Sequence, residues 1–142
     1  MTPVEPRIYD LFIDTGGFFA AFKTNDPDHV HAAASLADAT ARRLRLFTSS
    51  FALAETHALF LSRRGRRAAL EFVQRLVRST IAIERVTSDD EVEAIAILSR
   101  YSDKDFSYTD AVSFAVMRRF GVDVALAFDR HFVQFGFQQA RG

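Results

Sequence analysis

Residues 8–17 read Ile-Tyr-Asp-Leu-Phe-Ile-Asp-Thr-Gly-Gly, and this stretch decides how the rest of the chain is interpreted. Residues 8–13 are short and mostly apolar, which predicts a buried strand. Asp14 closes the strand, and residues 15–23 predict a helix whose two glycines permit close backbone approach at its start. A buried strand that leads directly into a helix is typical of an α/β fold.

The same alternation of strands and helices continues along the chain. Apolar and β-branched runs predict further strands at 44–48, 80–86 and 124–128. Between them, helical spacing predicts a stripe at Val30, Ala33, Ala34, Ala37, Ala41 and Leu44, and another at Ala69, Phe72, Val73, Leu76 and Val77. Ser49 or Ser50, the pair Ser88 and Glu91, and Ser107 are expected to cap the remaining helices. These elements predict an α/β fold with a mainly parallel central sheet.

Length and composition indicate one globular domain covering residues 1–142. Phe occurs 15 times, so an aromatic core is expected, and the absence of Cys excludes thiolate metal sites and thiol nucleophiles. The formal net charge is zero, so no global field attracts nucleic acid. Neither a signal-peptide pattern nor an apolar run of membrane-spanning length occurs, and we expect a cytoplasmic protein without a membrane segment.

Four acidic residues interrupt the most apolar parts of the sequence: Asp14, Glu55, Asp110 and Asp129. Burying an unpaired carboxylate costs several kcal/mol, so these positions need a physical reason. Asp14 and Asp129 follow predicted strands, whereas Glu55 and Asp110 lie early in predicted helices. In a wound α/β fold, the carboxyl ends of the strands and the N-termini of the helices face the same edge of the sheet.

All four acids are therefore expected at one site. Clustered carboxylates repel one another unless a cation joins them, and oxygen ligands favour Mg²⁺ or Mn²⁺. One or two such ions can activate water and stabilise charge on an attacked phosphate ester.

The segments around these acids resemble the PIN domain, a family of metal-dependent ribonucleases that includes bacterial toxins of the VapC type. They read FIDTGGFFA, SSFALAETHALF, DFSYTDAVSFAVMRRFG and LAFDRHF, and the resemblance covers nearly the whole chain. It implies a three-layer α/β/α sandwich and hydrolysis of single-stranded RNA. It also implies Asp14, Glu55, Asp110 and Asp129 as catalytic metal ligands.

The resemblance carries further expectations about accessory residues and partners. Thr15 and Thr109 match hydroxyl positions beside the acids, and Asp105 is a candidate accessory acid. A cognate antitoxin that covers the acidic groove and a homodimer formed through the helical surface are the expected protein partners.

Each acid also has a candidate structural role. Asp110 completes a Ser-x-x-Asp capping box with Ser107, and Asp14 and Asp129 are candidate N-caps. Glu55 is harder to account for in this way, because it is expected to share a helical face with apolar residues. For His57 and His131, surface or packing roles are favoured.

Arginines and one histidine form a weak prediction of RNA contact: Arg63, Arg64, Arg66, Arg67, Arg130 and His131. A solvated helix end accounts for the cluster at 63–67 equally simply. The tripeptide Asp14-Thr15-Gly16 also occurs in aspartic proteases, but helical periodicity excludes their all-β fold. Two alternatives to a nuclease toxin stay open, namely a non-catalytic scaffold that binds RNA or protein, and a housekeeping RNA-processing nuclease.

Overall fold

Strands and helices alternate along residues 8–140, which are the part of the chain that the computed structural model describes. The ends of the predicted domain, residues 1–7, 141 and 142, lie outside this range. In chain order the elements are β1 Leu11–Ile13, α1 Thr15–Phe22, α2 His29–Ala41, β2 Leu46–Ser49, α3 Ser50–Arg64, α4 Arg66–Arg78, β3 Ala82–Glu84, α5 Ser88–Arg100, α6 Tyr108–Arg119, β4 Val124–Leu126, α7 Arg130–Phe135 and β5 Gln138–Gln139.

The five described strands form one parallel sheet in the order β3-β2-β1-β4-β5. In the central pair, Ile13 of β1 is in register with Leu126 of β4. The carboxyl ends of these two strands therefore lie side by side, and the backbone N–H of Asp14 donates to the Leu126 carbonyl at 3.1 Å. The chain reversal needed between parallel strands is made by helices, as the sequence predicted.

Helices cover both faces of the sheet, which confirms the three-layer α/β/α architecture. Successive residues of β1 point to opposite faces, so Phe12 and Ile13 enter different cores. Phe12 packs with residues of α5, α6 and α7, including the fully buried Phe114. Ile13 packs with α1, α3 and α4 through Phe18, Phe60 and Phe72. The expected aromatic core is thus divided between two layers.

Helix α1 sits unusually close to the end of β4. A Cβ atom built on Gly17 would lie 2.3 Å from the Leu126 carbonyl oxygen, so any side chain there would push the helix away. A Cβ on Gly16 would meet only the Phe128 nitrogen at 3.8 Å. The predicted close approach is therefore confirmed and depends on Gly17. It fixes the distance between the segments that carry Asp14 and Asp129.

Several local predictions were wrong. In α2, the buried residues are Ala32, Ser35 and Ala39, whereas Val30 is 79% exposed. The other alanines of the predicted stripe, Ala33, Ala34, Ala37 and Ala41, are exposed as well. Alanine fits both a core and a surface, so it gave no reliable face.

The start of one helix and the number of strands also differ from the prediction. The capping box of α5 is formed by Thr87 and Asp90, not by Ser88 and Glu91. A short fifth strand, β5, lies in the aromatic tail, where none was predicted. The other strands are shorter than their apolar runs, since burial of flanking residues does not require a pairing partner.

A search of the described helices finds none that is both long enough and apolar enough to span a bilayer.

Candidate active site

The site is built around Asp14, which lies where β1 ends and α1 begins. Its side chain is only 6% exposed. Asp14 is the N-cap residue of α1 by position, but its carboxylate makes no capping hydrogen bond. The prediction of Asp14 as a helix cap is therefore wrong, and burial of this acid is not offset by a capping interaction.

Asp110 lies in the first turn of α6 and is 8% exposed. Its Oδ2 atom accepts the Ser107 backbone N–H at 3.0 Å, and the Ser107 hydroxyl accepts the Asp110 N–H at 3.0 Å. The predicted capping box is thus confirmed. Every described hydrogen bond to this carboxylate ends on Oδ2, so Asp110 Oδ1 has no hydrogen-bond partner among residues 8–140.

Asp129 follows β4 and caps the short helix α7. Its Oδ1 atom accepts the His131 backbone N–H at 2.6 Å. Its Oδ2 atom accepts no hydrogen bond from the described part of the chain. Asp129 and Asp110 therefore resemble each other, because each uses one oxygen to begin a helix and keeps the other free for a ligand.

Glu55 differs from the sequence-based expectation. It lies in the second turn of α3, but its side chain is exposed, and so is that of Ala54 before it. The expected apolar face was found only in part: Ala52 is buried, but Ala58 and Glu55 itself are exposed. The position remains compatible with a site that opens to solvent.

The electrostatics of Asp14 show that the acids lie close together. Burial is the main cause that raises the pKa of Asp14 to about 7, and the charges of Asp110, Glu55 and Asp129 act in the same direction. A hydrogen bond from the Thr15 backbone lowers the pKa but does not compensate. The structure thus brings the four sequence-selected acids into one electrostatic environment, with an excess of negative charge.

His131 lies between two of the acids. Its Nδ1 atom is 2.8 Å from Asp110 Oδ2 and 3.0 Å from Asp129 Oδ1. Ligand-type atoms of these three residues lie within 4.8 Å of one another. His131 therefore contacts two of the acids, which the favoured surface or packing role did not include. The Asp-x-His spacing in Asp129-Arg130-His131 was visible in the sequence, but spacing alone does not show where the ring points.

The buried Thr15 hydroxyl adds a polar group next to Asp14. Its oxygen has no hydrogen-bond partner among the described residues, and an unpaired buried hydroxyl normally costs free energy. The neighbouring carboxylates of Asp14, Asp110 and Asp129 likewise offer only oxygen donors. Such a set fits a hard divalent cation such as Mg²⁺ or Mn²⁺ and is poorly suited to soft metals.

The other candidate residues are more peripheral. Thr109 is half-buried beside Asp110, and Asp105 is exposed and forms no ion pair or hydrogen bond within residues 8–140. Arg130 is exposed at the start of α7, and His57 is half-buried in α3. The arginines at 63, 64, 66 and 67 are all exposed where α3 meets α4.

Parallel strands that end in a buried acid, Asp14, and an exposed one, Asp129, define the class of site: an acidic, oxygen-lined centre at the carboxyl edge of an α/β sheet. Comparison with known proteins identifies the family. The PIN domain model matches residues 11–138. The 23S rRNA-specific endonuclease VapC20 of Mycobacterium tuberculosis H37Rv is 34% identical over 137 residues, which cover 92% of this chain and 98% of that protein. A VapC ribonuclease of Archaeoglobus fulgidus is 35% identical over 105 residues, covering 71% of this chain and 65% of that protein.

Solved structures agree with the sequence comparisons. The crystal structure of Mycobacterium tuberculosis VapC20, described as a sarcin-ricin loop cleaving toxin, has a TM-score of 0.84 and 34% identity. The similarity covers 94% of this chain and 100% of that one. DNA-bound VapBC from Salmonella typhimurium has the same fold at 17% identity, with a TM-score of 0.66 and coverage of 93% of this chain and 96% of that one.

The chain therefore belongs to the PIN-domain family. The predicted resemblance and fold are confirmed, and the prediction of an endoribonuclease is confirmed at the level of the family. PIN nucleases generally use a divalent metal ion, which agrees with the acidic cluster described above.

Proposed function

We propose that this chain is an endoribonuclease that uses Mg²⁺ or Mn²⁺ to hydrolyse phosphodiester bonds in single-stranded RNA. One observation supports this most strongly: Asp14 is buried beside three other acids, and burial together with their charges raises its pKa to about 7. A protein gains nothing structurally from such crowding, whereas a cation would relieve it. Membership of the PIN family indicates the reaction class, and the clustered acids provide ligands for the cation.

Asp14, Asp110 and Asp129 would hold the metal ion, and Glu55 would bind it directly or through water. The residues fit this role because Asp110 Oδ1 and Asp129 Oδ2 have no other described partner. The exposure of Glu55 favours contact through a water molecule. A site of this kind accommodates one ion, or a second one toward Glu55.

When bound, such an ion activates a water molecule and neutralises charge on the attacked phosphate. The side chains of this chain then supply position and proton transfer. Glu55, exposed near the buried Asp14, is placed to accept a proton from the attacking water. The unpaired Thr15 hydroxyl can donate to water or to a phosphate oxygen, and Thr109 and Asp105 are accessory candidates nearby in the chain.

RNA contact is proposed for two groups of residues. Arg130 and His131 begin helix α7 at the site itself, so a phosphate near Asp129 lies within their reach. The exposed arginines 63, 64, 66 and 67 lie at and beyond the end of α3 and would contact the backbone further along the strand. Such contacts depend strongly on salt and carry little sequence information.

The names of the relatives suggest a toxin. One relative is a 23S rRNA-specific endonuclease, and its structure is described as a sarcin-ricin loop cleaving toxin. We propose a cytoplasmic toxin of this type, neutralised by a cognate antitoxin that covers the acidic site. Val92 and Ile95 of α5 are 67% and 60% exposed, which supports the proposed homodimer through a helical surface.

A cleavage assay tests the nuclease proposal. Purified protein is incubated with Mn²⁺ or Mg²⁺ and a panel of labelled single-stranded RNAs that includes 23S rRNA. Cleavage should require the metal, stop with a chelator, and disappear in Asp14→Asn. A folded protein that cuts no RNA of the panel with either metal would favour the non-catalytic scaffold.

A thermal assay tests the metal site without RNA. Mn²⁺ at a concentration 100 times its Kd should stabilise the protein by about 2.7 kcal/mol through mass action. Asp110→Asn should lose most of this gain. Unchanged melting of the intact protein over a wide range of Mn²⁺ would contradict the shared site.

The role in the cell needs a different observation. A gene for a small DNA-binding protein immediately upstream would favour a toxin with its antitoxin. Co-purification of the two proteins, with loss of cleavage in the complex, would support the same conclusion. Cleavage without any such partner would favour a housekeeping RNA-processing nuclease.

A further inference from the structure

We propose that His131 is a positioning residue that holds Asp110 and Asp129 in the geometry required for the metal ion. The inference rests on the proposed metal-dependent function and assigns a separate role within it. The sequence favoured a surface or packing role for His131 and indicated a weak RNA contact. In the structure, its ring contacts the two acids rather than pointing into solvent.

The hydrogen bonds around the ring show how this works. Nδ1 of His131 reaches Asp110 Oδ2 at 2.8 Å and Asp129 Oδ1 at 3.0 Å. The first oxygen also accepts the Ser107 N–H, and the second also accepts the His131 N–H. Each carboxylate is thus held through one oxygen, and this leaves Asp110 Oδ1 and Asp129 Oδ2 without a described partner. The ring is hydrogen-bonded to Asp110 and lies at ion-pair distance from Asp129, so it links the two carboxylates and restrains the separation of their remaining oxygens.

The ring itself is rigidly supported. Helix α7 is anchored by Phe132 and Phe135, which are both buried in the core beside α6. The His131 ring packs edge-on against Phe106, with ring centroids 5.5 Å apart and an interplanar angle of 77°. A side chain locked by packing and aimed at two carboxylates has the properties of a support for a metal site.

The same geometry argues against direct coordination of the metal ion by Nδ1. This atom lies close to two carboxylate oxygens, and because an ionised carboxylate only accepts, the hydrogen bond to Asp110 requires Nδ1 to carry the proton. A nitrogen that donates its proton offers no lone pair to a metal ion. Nδ1 is thus better placed to orient the carboxylate ligands than to join them.

A set of substitutions separates positioning from simple packing. The amide nitrogen of His131→Asn falls near the place of Nδ1, whereas that of His131→Gln falls near Nε2. His131→Leu keeps the volume against Phe106 but has no donor. We expect Mn²⁺ affinity, measured by calorimetry without RNA, to fall about 10- to 100-fold in the Leu and Gln variants. The Asn variant should recover most of the affinity.

A spectroscopic measurement tests the alternative of direct coordination. Pulsed electron paramagnetic resonance of the Mn²⁺-loaded protein should show no directly coordinated nitrogen. Circular dichroism of each metal-free variant verifies that it is folded. If the Leu variant proves unfolded, the comparison of Asn with Gln decides, because both side chains are polar and similar in size.

Each outcome has a definite meaning. Equal Mn²⁺ affinity in the wild-type, Asn, Gln and Leu proteins would overturn the inference but leave the nuclease proposal intact. A coordinated nitrogen that is lost in His131→Leu would make His131 a ligand and overturn it as well. A wild-type protein that binds no Mn²⁺ would end both the inference and the metal-dependent function.

Discussion

Helices α5 and α6 both begin with a capping box, but the acids that complete the two boxes have different surroundings. Asp90 closes a capping box with Thr87, and Asp110 closes one with Ser107. Both are buried, at 3% and 8% exposure. Asp90 is paired with the Arg119 guanidinium through two hydrogen bonds of 3.0 Å. Asp110 lies instead among other acids, and the imidazole of His131 is its nearest described basic group.

This difference separates a structural acid from a functional one. Burial alone raises the pKa of Asp90, but Arg119 and Thr87 hold it below its usual range. In the active-site region, burial and like charges raise the pKa of Asp14 to about 7. A buried acid with a full countercharge contributes to the fold, whereas an acid left among like charges needs a ligand.

The largest expected effect is on RNA cleavage, which should depend on the Asp110 capping box and not on the Asp90 one. Asp110→Asn keeps an oxygen for the box but removes the charge, and kcat/KM for RNA cleavage should fall by at least about 100-fold. Asp90→Asn should stay within about threefold, since Asp90 makes no contact with the site acids. Initial rates at saturating Mn²⁺ compare the two. Equal losses would show that helix geometry, not charge, limits the reaction.

The next largest effect is on stability, and here the Asp90 region should be the more sensitive of the two. Arg119→Met leaves Asp90 buried without its countercharge, and the free energy of unfolding should fall by about 3 kcal/mol. Arg118→Met is the matched control, because Arg118 is an exposed neighbour 3.7 Å from Glu93, and it should cost under about 1 kcal/mol. Urea unfolding measures both. Similar losses would mean that the Asp90–Arg119 pair is no stronger than a surface pair.

The dependence of stability on pH should have opposite signs in the two regions. In chelator-treated protein, the folded-state pKa of Asp14 is about 7, above its ordinary value of 3.8, so folding retains a proton there. This contribution is present in full below about pH 4 and is lost as the pH rises through 7, at up to about 1.4 kcal/mol per pH unit.

Substitutions isolate this contribution. Asp14→Asn should remove the corresponding slope of unfolding free energy between about pH 5 and pH 7. Asp90 contributes in the other direction, because its lowered pKa gives stability that is lost as the pH falls through that value. Asp90→Asn should therefore leave the slope above about pH 5 unchanged. A wild-type slope that survives Asp14→Asn would assign the effect to another group.

The smallest expected effect distinguishes the exposed Glu55 from the buried Asp110. Glu55→Gln should lower cleavage about tenfold, less than Asp110→Asn, because a water molecule can replace part of what an exposed side chain does. Mn²⁺ affinity measured in parallel shows whether the loss lies in binding or in turnover. A loss as large as that of Asp110→Asn would place Glu55 among the direct ligands.

The sequence predicted the edge of the sheet well and the faces of some helices poorly. Asp14 and Asp129 were placed at strand ends because a short apolar run that stops at an acid is typical of a buried strand reaching the edge of its sheet. The stripe of α2 failed because alanine packs acceptably inside or outside. The start of α5 was displaced by one residue because Thr87 and Ser88 are both good caps.

The parts of the site that the sequence did not predict depend on the direction in which a side chain points. Glu55 was expected among apolar residues, but its helix turns that side toward solvent. His131 was two residues from Asp129, yet only the packing of its ring on Phe106 turns it toward Asp110. Tertiary contacts of this kind join residues far apart in the chain, and no local pattern encodes them.

The double use of Asp110 and Asp129 offers a practical route to the unknown RNA. Asp129 is an N-cap, where Asn is as good as Asp, and at position 110 the amide oxygen of Asn can still accept the Ser107 N–H. A protein carrying Asn at both positions should remain folded while losing the charge needed for cleavage. It would then serve as a substrate trap, which holds its target uncut so that the bound RNA can be sequenced directly.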